Sequence, residues 1–237
     1  MRPRVVVAGG AGFIGYHLVK RLLQEDFDVI ILDNFATGSH ANIRDLLVED
    51  RCSLLEADIC QPLDIPGPVE YVINLACPAS PVDFERIPIE IMRASPVGAY
   101  NLLEIALHKG ATFLQASTSE VYGDPEVHPQ REDYTGNVNI IGPRSVYDEG
   151  KRFAEAMAFA YHRKYRVPIR IARIFNTYGP RMRPDDGRVI PNFCVQALTG
   201  KPLTVYGDGS QTRSFCYVED LVDGLLRLMQ SEHTGPF

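Results

Sequence analysis

Residues 9–15 of the chain, Gly9-Gly10-Ala11-Gly12-Phe13-Ile14-Gly15, follow directly on the β-branched run Arg4 to Ala8 and open a helical pattern from Gly12 to Gln24. Glycine at these points permits a tight turn and lets backbone N–H groups, at the positive end of a helix, close on a pyrophosphate. The spacing G-x-x-G-x-x-G in that context asks for strand, turn and helix in order. A second apolar run, Asp28 to Leu32, leads into Asp33, eighteen residues beyond Gly15. A carboxylate there accepts hydrogen bonds from both hydroxyls of a ribose and repels a 2′-phosphate, which favours NAD over NADP. Asp58, after the third strand, either reaches an adenine or caps its own turn.

The rest of the chain repeats the alternation. Short strands are expected at Ser53 to Glu56, Tyr71 to Leu75, Thr112 to Ala116 and Ile169 to Ile174, with long helices at Pro88 to His108 and Arg144 to Tyr165. Several strands are apolar throughout, as expected where helices cover both faces of a parallel sheet. The fold class is therefore α/β, a Rossmann-type doubly wound parallel sheet over residues 1–175. From residue 176 to 237 the pattern changes to Gly/Pro-punctuated loops with short helices at Ile190 to Leu198 and Val218 to Gln230. This segment reads as a smaller, truncated substrate lobe. Pro96 lies inside the first long helix, where proline costs about 3 kcal/mol unless the helix is kinked.

Charge and cysteine content narrow the function. The chain has 237 residues, a net charge of −6 and no isolated basic block, so a nucleic-acid surface is not expected. Its five cysteines form no C-x-x-C or Cys/His cluster, which argues against a metal site and for free thiols in a reducing, cytoplasmic setting. No apolar run is long enough to cross a bilayer.

Tyr147 and Lys151 stand four apart on one face of a helical stretch. An ammonium beside a phenol lowers its pKa, making the tyrosinate available to take a proton from an alcohol. With Ser117-Thr118-Ser119-Glu120 closing an intervening strand, the pair forms a proton-and-hydride apparatus. His17, His108 and His162 have no partners at ligand spacing and are expected at the surface.

Longer strings carry a closer resemblance: LACPASPV (75–82), STSEVYGDPEVHPQ (117–130), YDEGKR (147–152), ARIFNTYGPRM (172–182), DDGRVIPNF (185–193) and LTVYGDGSQTRSF (203–215). With them the chain resembles the extended short-chain dehydrogenase/reductases acting on nucleotide sugars, and within these the UDP-glucuronate decarboxylases. The resemblance implies bound NAD along Gly9, Gly12, Phe13, Ile14, Gly15, Asp33, Asn34, Thr37, Gly38, Asp58, Ile59, Leu75, Cys77, Ser117, Tyr147 and Lys151. It implies Tyr147 as base for the C4 hydroxyl, Lys151 on the nicotinamide ribose, Thr118 on the C4 oxygen and Glu120 orienting the sugar or moving a proton. Asn176 and Arg213 would meet the diphosphate, Arg188 the nucleotide and Tyr206 the uracil of a UDP-sugar. The family continues beyond Phe237 and carries a substrate-binding arginine there, and the two long helices suit a homodimer bundle. Position 119 separates the nearest rivals: the sugar 4,6-dehydratases carry an acid there, and Ser119 does not readily supply a proton. A 4,6-dehydratase, a 4-epimerase and an NAD-binding chain without turnover remain as alternatives.

Overall fold

A computed structural model describes residues 2–237. Six strands, β1 (Arg4–Ala8), β2 (Asp28–Asp33), β3 (Cys52–Glu56), β4 (Tyr71–Asn74), β5 (Thr112–Thr118) and β6 (Ile169–Ile174), form one parallel sheet in the order β3-β2-β1-β4-β5-β6. The order reverses between β1 and β4, and in open α/β sheets ligands bind in the crevice at the carboxyl ends of the strands at such a switch point.

Period-2 alternation distributes the core. Val5 and Val7 of β1 face one layer with Leu18, Leu22, Ile31, Ile73 and Leu114, while Val6 and Ala8 face the other with Ile30, Val72, Phe113, Ile169 and Ile171. On the first face lies α1 (Phe13–Gln24), whose buried Tyr16, Leu18, Val19, Leu22 and Leu23 form the stripe that the sequence pattern foretells. A short α2 (His40–Ile43) follows β2. The second face is covered by α5 (Ala99–Lys109) and α6 (Ser145–Tyr165), and α3 (Pro81–Arg86) and α4 (Pro88–Arg93) pack against α6 through Phe84, Ile91 and Tyr147.

The expected helix from Pro88 to His108 is interrupted. Ala94–Gly98 forms a π-helical segment around Pro96, which has no N–H to give to the regular ladder. The wider turn brings buried Ser95 against Gly150 of α6, where a Cβ on the glycine would lie 3.0 Å from the serine Cβ. It also sets Gly98 on Ile59, whose Cδ1 would be 2.1 Å from a side-chain carbon at position 98.

β7 (Asn176–Tyr178) pairs in parallel with β8 (Phe215–Tyr217), and α7 (Val189–Leu198) lies between them in sequence. The last helix, α8 (Val218–Gln230), buries Val218, Val222, Leu225, Leu226 and Met229 in the same core as α1. Beyond it, Phe237 exchanges backbone bonds with β6, its N–H donating to Ile171 O at 3.1 Å and its carbonyl accepting from Arg173 N at 2.6 Å. An amphipathic pattern shows that α8 has an apolar stripe without naming the surface that receives it.

Candidate active site

The carboxyl ends of the strands open onto one cavity of about 1870 Å³. One end is built by the glycine turn between β1 and α1. Gly9 has φ +81°, and a Cβ there would come within 2.7 Å of the Leu75 carbonyl carbon and 2.8 Å of Ala76 N. Gly15 lies so close beneath the turn that a Cβ would sit 2.1 Å from Gly9 O. Gly12 caps α1 without any side-chain bond, which leaves the first N–H groups of the helix facing the cavity for an anion.

Asp33, at the end of β2, is 8% exposed. Its Oδ2 accepts from Ala11 N and its Oδ1 from Phe35 N, both at 2.9 Å, so the carboxylate is aimed at the turn before any ligand binds. Burial pushes its pKa up, against the pull of the Phe35, Ala11 and Asn34 N–H groups. Each oxygen keeps lone pairs for ribose hydroxyls. Asp58 Oδ1 accepts from Cys60 N at 2.8 Å, the local capping bond, while the residue also lines the cavity. Asn34, Thr37, Gly38, Ile59, Leu75 and Cys77 line it as well.

At the opposite wall stand Tyr147 and Lys151 of α6, 6% and 4% exposed, with Thr118 and Glu120 following β5. Lys151 Nζ donates to Ala116 O at 2.8 Å and lies 5.7 Å from the Tyr147 ring centroid. Spacing alone predicts a phenol lowered by this ammonium, and burial of both groups works against that pull. Burial and then the Cys77 thiol push Tyr147 up, against Thr118 and Arg188, while burial pushes Lys151 down, against Cys77 and Glu155. The two groups are desolvated together. Phe84 stacks on the Tyr147 ring at 5.1 Å and fixes its plane.

Thr118 Oγ1 accepts from Glu120 N at 3.2 Å, capping the 3₁₀ turn Ser119–Tyr122 that presents both side chains. Ser117 gives its hydroxyl proton to Glu155, away from the cavity, so what it retains for a ligand is acceptor capacity. Glu155 is held in turn by Arg173, Nη2 to Oε2 at 2.8 Å and Nε to Oε1 at 3.0 Å, a buried pair beneath the site.

On the substrate side, Asn176, Arg188 and Arg213 line the same cavity. Arg188 is paired with Asp186, Nη2 to Oδ2 at 2.7 Å, and Asn176 donates to Ser214 O at 3.3 Å. Tyr206 is not brought in. It is 76% exposed on the loop between α7 and β8 and does not line the cavity. Two further groups escaped sequence reasoning. Arg144 donates to Glu120 Oε2, and Asp148, 6% exposed, has an enclosed Oδ1 without a partner. Burial, reinforced by Glu120 and Glu149 and opposed by Arg144, raises the Asp148 carboxyl to about 7.

A family model for the NAD-dependent epimerase/dehydratase family matches residues 5–236. The chain belongs to that family. It is 54% identical over 234 residues to UDP-glucuronic acid decarboxylase 6 of Arabidopsis thaliana, covering 98% of this chain and 68% of that protein. It is 50% identical to UDP-glucuronic acid decarboxylase 1 of Danio rerio, covering 99% of this chain and 56% of the relative. The chain thus spans between about half and two thirds of such relatives, and its sequence is of their type. Among solved structures it superposes on a UDP-glucuronic acid 4-epimerase from Bacillus cereus in complex with UDP-glucuronic acid and NAD, with a TM-score of 0.84, 29% identity and 98% and 76% coverage of the two chains. A dTDP-glucose 4,6-dehydratase from Streptomyces venezuelae with NAD bound gives a TM-score of 0.87 at 28% identity, over 98% of this chain and 74% of the other. The glycine cradle that a Cβ would fill, the exposed N–H groups of α1 and the pre-aimed Asp33 fit NAD.

Proposed function

We propose that this chain carries out NAD-dependent decarboxylation of UDP-glucuronate to UDP-xylose, with the cofactor restored in each cycle. The observation that carries the reading is the convergence of Thr118, Glu120, Tyr147 and Lys151 on the cavity that the glycine turn and Asp33 close at its other end. Phe13 and Ile14, at the start of α1, would hold the pyrophosphate, Asp33 the adenosine ribose and Lys151 the nicotinamide ribose. When bound, NAD supplies a hydride acceptor for C4 and later the donor that returns it. Tyr147 takes the C4 hydroxyl proton, Thr118 holds the C4 oxygen, and the ketone so formed stands β to the C6 carboxylate. Carbon dioxide then leaves with its bonding electrons held on the ring as an enolate. Glu120, fixed by Arg144, orients the sugar and relays the proton that C5 takes up. Tyr147 returns its proton to the C4 oxygen as C4 is reduced. Ser119 in place of an acid supports decarboxylation over loss of a C6 hydroxyl.

Asn176 and Arg213 would hold the diphosphate and Arg188 the nucleotide, sharing its guanidinium with Asp186. Asp33 supports NAD at least tenfold tighter than NADP, about 1.4 kcal/mol, with Asp33→Ala narrowing the gap in calorimetric titrations. Exposed Ile89, Met92, Val97, Tyr100 and Phe153 along α4, the π segment, α5 and α6 support a homodimer through these helices, and unbridged cysteines support a cytoplasmic setting. The test is incubation with UDP-glucuronate and NAD, followed by mass analysis. UDP-xylose with carbon dioxide is expected. UDP-galacturonate would make the chain an epimerase, and unchanged substrate a binding protein.

A further inference from the structure

The segment that follows β7 carries the substrate-side residues of the cavity, and it is tied back to the glycine turn through one side chain. Asn42, in α2, places its Nδ2 against two carbonyls of the turn, donating to Ala11 O at 2.9 Å and Gly12 O at 3.1 Å. Its other face belongs to Arg181. That guanidinium donates through Nη1 to Asn42 O at 2.7 Å and to Asn42 Oδ1 at 3.2 Å. Nη2 reaches Asp45 Oδ2 at 3.2 Å, the same oxygen that accepts from Tyr16 OH at 2.7 Å. The guanidinium also lies over the Tyr16 ring, 3.7 Å from its centroid. One residue earlier, Pro180 O meets His17 Nε2 of α1 at 3.0 Å.

The chemistry of the amide makes this arrangement directional. An asparagine side chain has two N–H donors and one acceptor oxygen. Here both donors are spent on the turn and the oxygen on the guanidinium, so rotating the amide by half a turn would oppose N–H to N–H on one side and oxygen to oxygen on the other. Asn42 is therefore locked by both neighbours at once, and a shift of either is felt by the other. Arg181 holds φ +70° while making these bonds, in the left-handed region that a side chain with a Cβ rarely adopts. Backbone strain of this kind persists where surrounding contacts over-determine it. Past Arg181 the chain runs through Met182, Arg183, Asp186 and Arg188, all on the cavity wall.

We infer that Arg181, acting through Asn42, is a positioning residue that couples occupancy of the glycine turn to the placement of the substrate segment 179–188. A pyrophosphate that stiffens the turn fixes the carbonyls of Ala11 and Gly12, these fix the Asn42 amide, and the amide fixes the guanidinium. The order in which the site is organised follows: the dinucleotide first, the sugar nucleotide on a segment that the dinucleotide has already steadied. By linkage the effect is reciprocal, so a uridine nucleotide bound to the segment tightens NAD by the same factor. The inference rests on the cofactor and UDP-sugar reading above, and its first readout needs NAD alone.

The experiment follows backbone amide hydrogen exchange of the whole chain with and without saturating NAD, alongside calorimetric NAD and UDP titrations. In the parent, NAD should slow exchange both in 9–15 and in 179–188, and should tighten UDP by about fivefold or more. In Arg181→Ala, NAD should still slow exchange in 9–15 while the effect on 179–188 disappears, and UDP affinity should become independent of NAD. Arg181→Lys keeps the charge but loses the planar two-pronged fork and the stacking, and should keep only part of the coupling. It serves as the reporter if the alanine variant folds poorly. A general loss of stability would raise exchange throughout the chain, whether or not NAD is present. NAD-dependent protection of 179–188 that survives in both variants, or that is absent from the parent while NAD binds, overturns the coupling. Failure of NAD to bind the parent overturns the cofactor reading and the coupling with it, whereas transmitted protection with no UDP binding overturns only the sugar-nucleotide reading.

Discussion

Removing one oxygen from Tyr147 isolates what its phenol contributes. The ring of Tyr147→Phe still stacks on Phe84 and fills the same buried volume, but no acceptor remains for the C4 hydroxyl proton. Loss of a positioned general base costs on the order of 100- to 10,000-fold, so UDP-xylose should form from UDP-glucuronate at least about 100-fold more slowly while NAD affinity stays within about twofold. Formation at the parent rate would remove Tyr147 from the reaction. Asp148 next to it makes a prediction of the opposite kind, about stability. Its carboxyl is raised from 3.8 to about 7, chiefly by burial, so its protonated form is favoured in the fold. Such a group contributes its full share below pH 4 and loses it as pH climbs through 7. Asp148→Asn supplies a permanently neutral group of the same shape. Its melting temperature should gain on the parent between pH 4 and 8, with little difference at pH 4; a constant difference across that range would show that the carboxyl does not titrate there. Tyr147 and Lys151 could be read from their spacing, but Asp148 could not. Its character comes from an enclosed oxygen and from Glu120 and Arg144, which lie far from it in sequence or across a turn. Asn42 and Arg181 escaped for the same reason, being 139 positions apart.

At the scale of elements, periodicity placed β1, α1, β6, α6 and α8 to within a residue or two, because each has an apolar stripe or run bounded by glycine or polar residues. Pro96 announced an interruption, yet the π-helical form of that interruption depends on what packs against it. Gly98 is the test. Alanine in a helical position gains roughly 0.5–1 kcal/mol over glycine. Here its Cβ would lie 2.1 and 2.6 Å from Ile59 Cδ1 and Cγ1, and Ile59 is buried in the second core. Overpacking a well-filled site costs about 1–3 kcal/mol, so the steric cost should win. Gly98→Ala is expected to lower the denaturant midpoint, while in an Ile59→Ala background the same change should be neutral or stabilising. An equal loss in both backgrounds would mean that Ile59 is not the obstacle. Ile59 also lines the cavity, so this contact links the helix to the cofactor end of the site.

At the scale of the whole molecule, the question is whether residues 176–237 behave as a unit of their own. Residues 201–215 form one continuous exposed stretch that includes Arg213, followed by Ser214, the natural place for trypsin to cut. What lies beyond the cut is held at three places. β8 pairs with β7, α8 buries five side chains against α1 and its neighbours, and Phe237 bonds through its backbone to β6. Each buried apolar side chain contributes about 1.5–3 kcal/mol before entropic costs, whereas the surface pair between Arg21 and Asp223, at 3.6 Å, contributes little. Brief trypsin treatment should therefore nick the chain at Arg213 without releasing anything. The two pieces should co-elute from gel filtration at the size of the intact protein and separate only in denaturant. Leu225→Ala, which opens a cavity in the shared core at about 2–5 kcal/mol, should let the nicked pieces part. If the nicked parent dissociates under native conditions, with residues 1–213 still folded, then α8 is an appendage of the smaller lobe and the boundary at 176 is a true one.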